Sequence, residues 1–291
     1  MKKMGLEASF RAMSCPEQGM QMVDRTGRGW AWFPANTSGN GAQNFTTEWE
    51  IMRRELCRLM YDATKSRATF VFGTTIEGWE KKDGGVEVRL ADGNMETFDL
   101  LVGADVVQSA TRKMMLGAGG RGCASQAWRC LCIILYHSTA DTRGRRVHRH
   151  SVNGSRSQGV MTRRQNPHEL QVYLGCTSKS EWLKNIRRRH VKEEKEALAE
   201  VLQDAGWEVD DIIKDMMKAE DFYCERLGVV KLDTWFRYLV TLVGEAAYCP
   251  SSNTGMGTTS SMVGAYILAG EIGRHCREDS KDGLAMALKI L

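Results

Sequence analysis

Two short apolar runs, each ending at a glycine and a carboxylate, constrain the fold of this chain more than any other feature. Asp99 to Ala104 (DLLVGA) leads directly into Asp105, and Leu239 to Val243 leads into Gly244-Glu245. Continuous apolar runs of this length fit strands buried on both faces, which are the parallel strands of an α/β sheet. Ligands of such sheets bind beyond the carboxyl ends of the strands. A carboxylate at each of two parallel strand ends therefore points to one shared cleft.

The segment after the second run extends this reading. Pro250 sits in a loop, and Gly255-Met256-Gly257 opens a helix rich in Ser260, Ser261, Gly264, Ala265, Ala269 and Gly270. Exposed amides and the helix dipole make such a start a seat for an anionic group. Taken alone it would also serve close helix packing; the preceding strand and carboxylate favour the ligand. Asp105 leaves two roles open, since a carboxylate there can touch a ligand or cap the following helix.

The rest of the chain supplies an α/β frame with an inserted β-rich region. Thr47 and Glu50 have the spacing of a capping box, followed by Met52, Leu56, Leu59, Met60 and Ala63 at helical spacing. Thr69 to Ile76 is rich in β-formers, and Trp79 to Leu90 reads as a hairpin through Asp83-Gly84-Gly85. Ser125 to Thr177 alternates short strand-like pieces with polar turns. A charged amphipathic helix is expected over Glu181 to Ala205, with Gly206 as its C-cap.

Several other functions are excluded by composition. With 40 basic and 36 acidic residues the net charge is +4, too balanced to mark a nucleic-acid binder. The basic cluster from Arg143 to Arg164 has no aromatic platform and reads as a solvated loop. Nine cysteines without a CxxC pair argue against both a disulfide framework and a zinc site, so no metal is expected. No signal peptide follows Met1, and Met262 to Ile272 is too short to span a bilayer. A cytoplasmic protein without membrane contact is the expectation. Gly117-Ala118-Gly119-Gly120-Arg121-Gly122 satisfies GxGxxG in letters only, because the residues before it read as a helix and no strand leads in.

Three segments carry a family resemblance: FPANTSGNGAQNFTTEWEIMRRELCRLMYDAT, DLLVGADVVQSATRKMMLG and VTLVGEAAYCPSSNTGMGTTSSMVGAYILAGEI. They resemble the single-component FAD-dependent monooxygenases of aromatic-ring hydroxylase type, especially those of fungal secondary metabolism. The resemblance implies a Rossmann-like FAD domain, here residues 1–124 and 225–291, interleaved with a β-rich substrate domain at 125–224. It implies that Arg53 contacts FAD from the first long helix and that Asp105 serves FAD and NADPH. It also implies that Glu245 stands where an aspartate holds the ribityl chain, beside Pro250, and that Gly255 and Gly257 offer amides to the flavin ring. The family activity passes one oxygen atom of O2 to an electron-rich substrate.

Departures from the family pattern set further expectations. No βαβ unit with GxGxxG precedes the first segment, which by family topology would separate Thr69–Ile76 from the other two strands. Val106-Val107 follow Asp105 where the family has a glycine, and Glu245 adds a methylene to the usual aspartate. The usual C-terminal helices are also missing from this sequence. Losing several charge-assisted contacts of about 1.5–3 kcal/mol each would remove most tight FAD binding. The expected function is then a non-redox tailoring step, cyclisation or isomerisation of a hydrophobic metabolite without FAD, with Glu245 and Asp105 as candidate acids. A shortened but active FAD-dependent monooxygenase and a non-catalytic binding protein are the alternatives. A homodimer or a partner chain at the interrupted sheet is the expected protein contact.

Overall fold

The computed structural model describes residues 1–15, 17–38, 45–47, 49–117, 123–125, 131–138, 149–153, 158–166, 169–176, 190–226, 228–250, 254–276 and 283–290. These form two compact units, one of Met1–Phe70 with Trp128–Arg226 and one of Val71–Ala127 with Leu227–Leu291. Strands and helices are numbered below along the whole chain.

The first unit is built on a seven-stranded sheet, with α1 (Glu7–Ala12) preceding the first strand. It contains β1 (Gly19–Val23), β2 (Gly29–Pro34), β8 (Leu131–Ser138), β9 (Arg149–Asn153), β10 (Gln158–Asn166), β11 (Glu169–Cys176) and β12 (Phe222–Arg226), in the order β12-β8-β11-β10-β9-β1-β2. All neighbours are antiparallel except β1 and β9, which run parallel with Gln21 opposite His150. Because side chains alternate along a strand, Val160, Val172 and Leu174 share one face. They pack with Leu198 and Leu202 of α4 (Val191–Leu202) and Ile212 and Met216 of α5 (Val209–Lys218). The i, i+4 spacing of those helix residues gives each helix one buried stripe.

The opposite face carries Met161, Arg163, Gln171 and Tyr173 in matching register. Arg163 is buried and forms ion pairs with Glu17, through Nε, and with Glu50 Oε2 at 3.1 Å. Burial disfavours its charge, but Glu17 and then Tyr173 and Glu50 outweigh that, so its pKa rises above the ordinary guanidinium value. Glu50 is thereby drawn away from helix capping. The helix α2 (Arg53–Thr64) starts after Met52 with no side-chain cap, and Thr47 accepts instead from the Trp49 amide at 3.2 Å. The expected capping box is not formed, although Met52 and Leu59 are buried as the spacing required.

The second unit begins with β3 (Ile76–Lys82), β4 (Gly85–Leu90) and β5 (Met95–Phe98), an antiparallel sheet in that order. The two-residue Asp83-Gly84 turn, with Gly84 at φ +78, closes the expected hairpin. Val86 and Val88 of β4 point to one core with Leu101, Met115, Val240 and Leu242. That core supports β6 (Leu101–Gly103) and β15 (Val240–Leu242), parallel with Gly103 opposite Leu242, and β14 (Phe236–Arg237) antiparallel to β15. A Cβ at Gly103 would fall 2.7 Å from both Leu242 Cδ2 and Thr111 Cγ2, so glycine lets α3 (Ala110–Leu116) lie close across the strands. The helices α6 (Glu245–Tyr248), α7 (Gly257–His275) and α8 (Gly283–Ile290) follow β15, while β7 (Cys123–Ser125) pairs with β13 (Val229–Lys231).

Two further expected elements differ from what is seen. Thr69–Ile76 is not a strand: β3 starts at Ile76, and Val71 and Phe72 are 64% and 76% exposed. High β propensity needs a partner edge to be realised, and among the described residues none is offered. The described part of the charged helix ends at Leu202 with Gln203 as C-cap, and Gly206 packs on Arg25 instead. Residues 1–70 group with 128–226 in one unit, because β1 and β2 extend the seven-stranded sheet. Residues 118–122 of the GxGxxG run and 181–189 of the expected helix lie outside the described residues, as do 143–148 and 154–157 of the basic cluster. The cluster's described residues belong to β9 and β10, with Arg163 buried, rather than to a solvated loop.

Candidate flavin-binding site

The parallel pairing brings Asp105 and Glu245 to the same end of neighbouring strands, β6 and β15, in the second unit. Their surroundings differ. Asp105 accepts from Ser109 Oγ at 2.5 Å through Oδ1, and from the Thr111 amide at 3.1 Å and Thr111 Oγ1 at 3.3 Å through Oδ2. Ser109 is itself the N-cap of α3 and accepts from the Arg112 amide at 2.8 Å. The observed role of Asp105 is therefore to brace a helix start, the second of the two roles open to it.

Glu245 is the first residue of α6 and is half-buried. Among the described residues, no hydrogen bond or ion pair engages its carboxylate. Gly244 before it has φ +68, a left-handed conformation that glycine adopts at little cost. A Cβ at Gly244 would also fall 2.8 Å from Ser261 Oγ, so the turn lies directly against α7. Glu245 Oε1 would be 3.6 Å from a Cβ on Gly257, which places the free carboxylate beside the first residue of α7.

Among the described residues the start of α7 has no side-chain cap, so its first amides have no side-chain acceptor there. Gly255 before it has φ +66 and nothing within 4 Å of where a Cβ would lie. Pro250 is half-buried on the same loop, and residues 251–253 lie outside the described set. Uncapped amides, side-chain-free backbone at 255 and 257 and a free carboxylate suit a planar, hydrogen-bonding ring attached to a polyol. FAD has that chemistry, and the cradle fits its ring and ribityl end.

The sequence reading missed Arg112. Its side chain is 6% exposed, and it donates through Nη1 to the Ala246 carbonyl at 2.8 Å and through Nη2 to the Val107 carbonyl. It thus ties the loop after β6 to the turn after β15, setting the spacing of both strand ends. Burial lowers its pKa from the ordinary value, and the Asp105 carboxylate opposes that shift. The signal was an arginine beside Thr111 and Met115, on a helix with an N-cap serine three residues earlier. Arg53 belongs to the first unit, where its guanidinium lies 5.8 Å from the Tyr223 ring centroid.

Among the described residues no cluster of His, Cys, Asp or Glu could hold a metal ion, and no helix is long and apolar enough to cross a membrane. Residues 1–287 match the FAD binding domain family. The FAD-dependent monooxygenase asL4 of Sarocladium schorii is 44% identical over all of this chain and 69% of its own length. The flavin-dependent monooxygenase eupH of Phoma sp is 35% identical, covering 93% of this chain and 65% of that protein. The chain thus spans about two thirds of the length of these relatives. Among solved structures, the tetracycline destructase Tet(51) superposes with a TM-score of 0.80 at 23% identity, over 99% of this chain and 72% of that one. Klebsiella pneumoniae HpxO, complexed with FAD and uric acid, gives 0.70 at 17% identity, over 100% and 70%. None of these matches supports the expected absence of FAD. The chain belongs to the FAD-dependent monooxygenase family.

Proposed function

We propose that this chain binds FAD and, with a reduced nicotinamide cofactor such as NADPH as electron source, oxygenates a hydrophobic, electron-rich small molecule as a tailoring step of secondary metabolism. The observation that carries this reading is the free Glu245 carboxylate beside the uncapped, glycine-flanked start of α7. The names of asL4 and eupH support it. Glu245 would hold the ribityl hydroxyls, Gly255 and Gly257 would offer amides to the ring, and Pro250 would wall one edge. Bound FAD would supply electron transfer to oxygen and delivery of one oxygen atom. Arg112 and Asp105 act indirectly, by fixing the two strand ends against which the cofactor would lie. Substrate-stimulated oxidation of NADPH with matching oxygen uptake by the purified chain tests the proposal. No stimulation across a panel of phenolic and polyketide-like substrates, with FAD bound, counts against monooxygenation.

One observation favours a second reading. Val106 and Val107 follow Asp105 where glycine would admit a cofactor closely, and Val107 is buried against Val230 and Cys249. A cleft narrowed in this way could hold a hydrophobic metabolite for a cofactor-free cyclisation or isomerisation, with Glu245 as the acid. Asp105 is occupied by three hydrogen bonds at the start of α3, which leaves Glu245 as the acid of this reading. Product formed without FAD and lost in Glu245→Gln would establish this reading. Product that depends on added FAD would exclude it.

A further inference from the structure

A cavity of about 470 Å³ opens in the second unit at the C-terminal end of α3, the opposite end from Asp105. Its volume is that of a small-molecule site. Trp79 and Lys81 of β3, Met114 of α3 and the Arg237-Tyr238 corner after β14 form its walls, with Glu77 on the rim. The indole, the thioether and the phenol ring make these walls largely apolar, so the polar groups among them stand out.

Three of those groups keep donor capacity that no acceptor among the described residues takes up. Arg237 donates through Nη1 to the Met115 carbonyl at 3.0 Å, which orients the guanidinium, and makes no other hydrogen bond or ion pair among the described residues. The Lys81 ammonium lies 4.4 Å from the Tyr238 ring centroid, and no carboxylate among the described residues pairs with it. The Trp79 Nε1–H is buried without an acceptor among the described residues, which native proteins rarely tolerate. Glu77, the one carboxylate lining the cavity, lies 3.9 Å from Arg89. Tyr238 has φ 59, rare for a residue other than glycine, and its hydroxyl donates to the Lys82 carbonyl at 2.7 Å. Strain held at such a corner is a feature of ligand clamps.

The geometry points to this cavity as a binding site for a small organic anion, an aromatic or apolar body carrying a carboxylate or phosphate. The charge would sit between Lys81 and Arg237, and the body would lie on Trp79 and Met114. The site is independent of flavin and of the strand-end cradle, so it stands whichever reaction the chain performs.

Indole N–H resonances of the isotope-labelled full chain report on it, with Trp79→Phe assigning the Trp79 signal. Benzoate and phenyl phosphate distinguish the two anion types, inorganic phosphate tests charge alone, and benzamide is the neutral control. A saturable shift of the Trp79 signal with benzoate or phenyl phosphate is expected, with benzamide leaving it in place. Lys81→Gln, at an exposed position, should weaken binding roughly tenfold through loss of one charge-assisted contact, and Lys82→Gln should leave it unchanged. No saturable shift up to about 10 mM of either aromatic anion, or equal shifts from benzamide, would overturn the assignment. So would an unaltered affinity in Lys81→Gln.

Discussion

Asp105 and Glu245 occupy equivalent strand ends, yet only Glu245 remains free to meet a ligand. The sequence places both correctly, since the apolar runs fix where each strand stops. It does not separate their roles, because Ser109 and Thr111 can reach Asp105 only once α3 has turned back on the strand. Arg112 was hidden for the same reason: its carbonyl partner at Ala246 lies 134 positions away. Asp105→Ala removes three acceptor contacts from a helix start and should cost about 1–3 kcal/mol, read as a lower denaturation midpoint in urea with an unchanged m-value.

At the scale of elements, the legible parts are those whose signals are local. The hairpin of β3 and β4 follows from Asp83-Gly84, and α7 follows from the Gly-Met-Gly start. The capping box failed because Glu50 meets Arg163, a long-range ion pair that outcompetes a helix-end hydrogen bond. Arg163→Ala would leave Glu17 buried without that cation, and should destabilise the first unit by about 3–5 kcal/mol. Calorimetry checks this, with Arg163→Lys expected to recover part of the loss. Thr69–Ile76 failed as a strand because a β-rich sequence without a neighbour gains nothing from extending. Val71→Ser, at a position 64% exposed, should therefore leave stability within about 0.5 kcal/mol while lowering binding of a hydrophobic dye. A large drop in melting temperature would show that Val71 is packed after all.

For the whole molecule, the parallel β6–β15 pair and the seven-stranded sheet frame the two units. The α/β class was readable from two apolar runs and the β-rich middle. The grouping of residues 1–70 was not, because the parallel pairing of β1 with β9 joins segments more than 120 residues apart and leaves no local trace. The departures at Val106 and Glu245 were readable, but their weight for FAD binding was not, because it depends on how Glu245 and the glycines at the start of α7 come together in the fold. Titrating the purified, flavin-stripped chain with FAD, and following flavin fluorescence, measures that weight directly. Saturable quenching with a dissociation constant of about micromolar or below is the predicted result, weakened roughly tenfold or more in Glu245→Ala through loss of one charged contact. Fluorescence unchanged at about 100 µM FAD would contradict it.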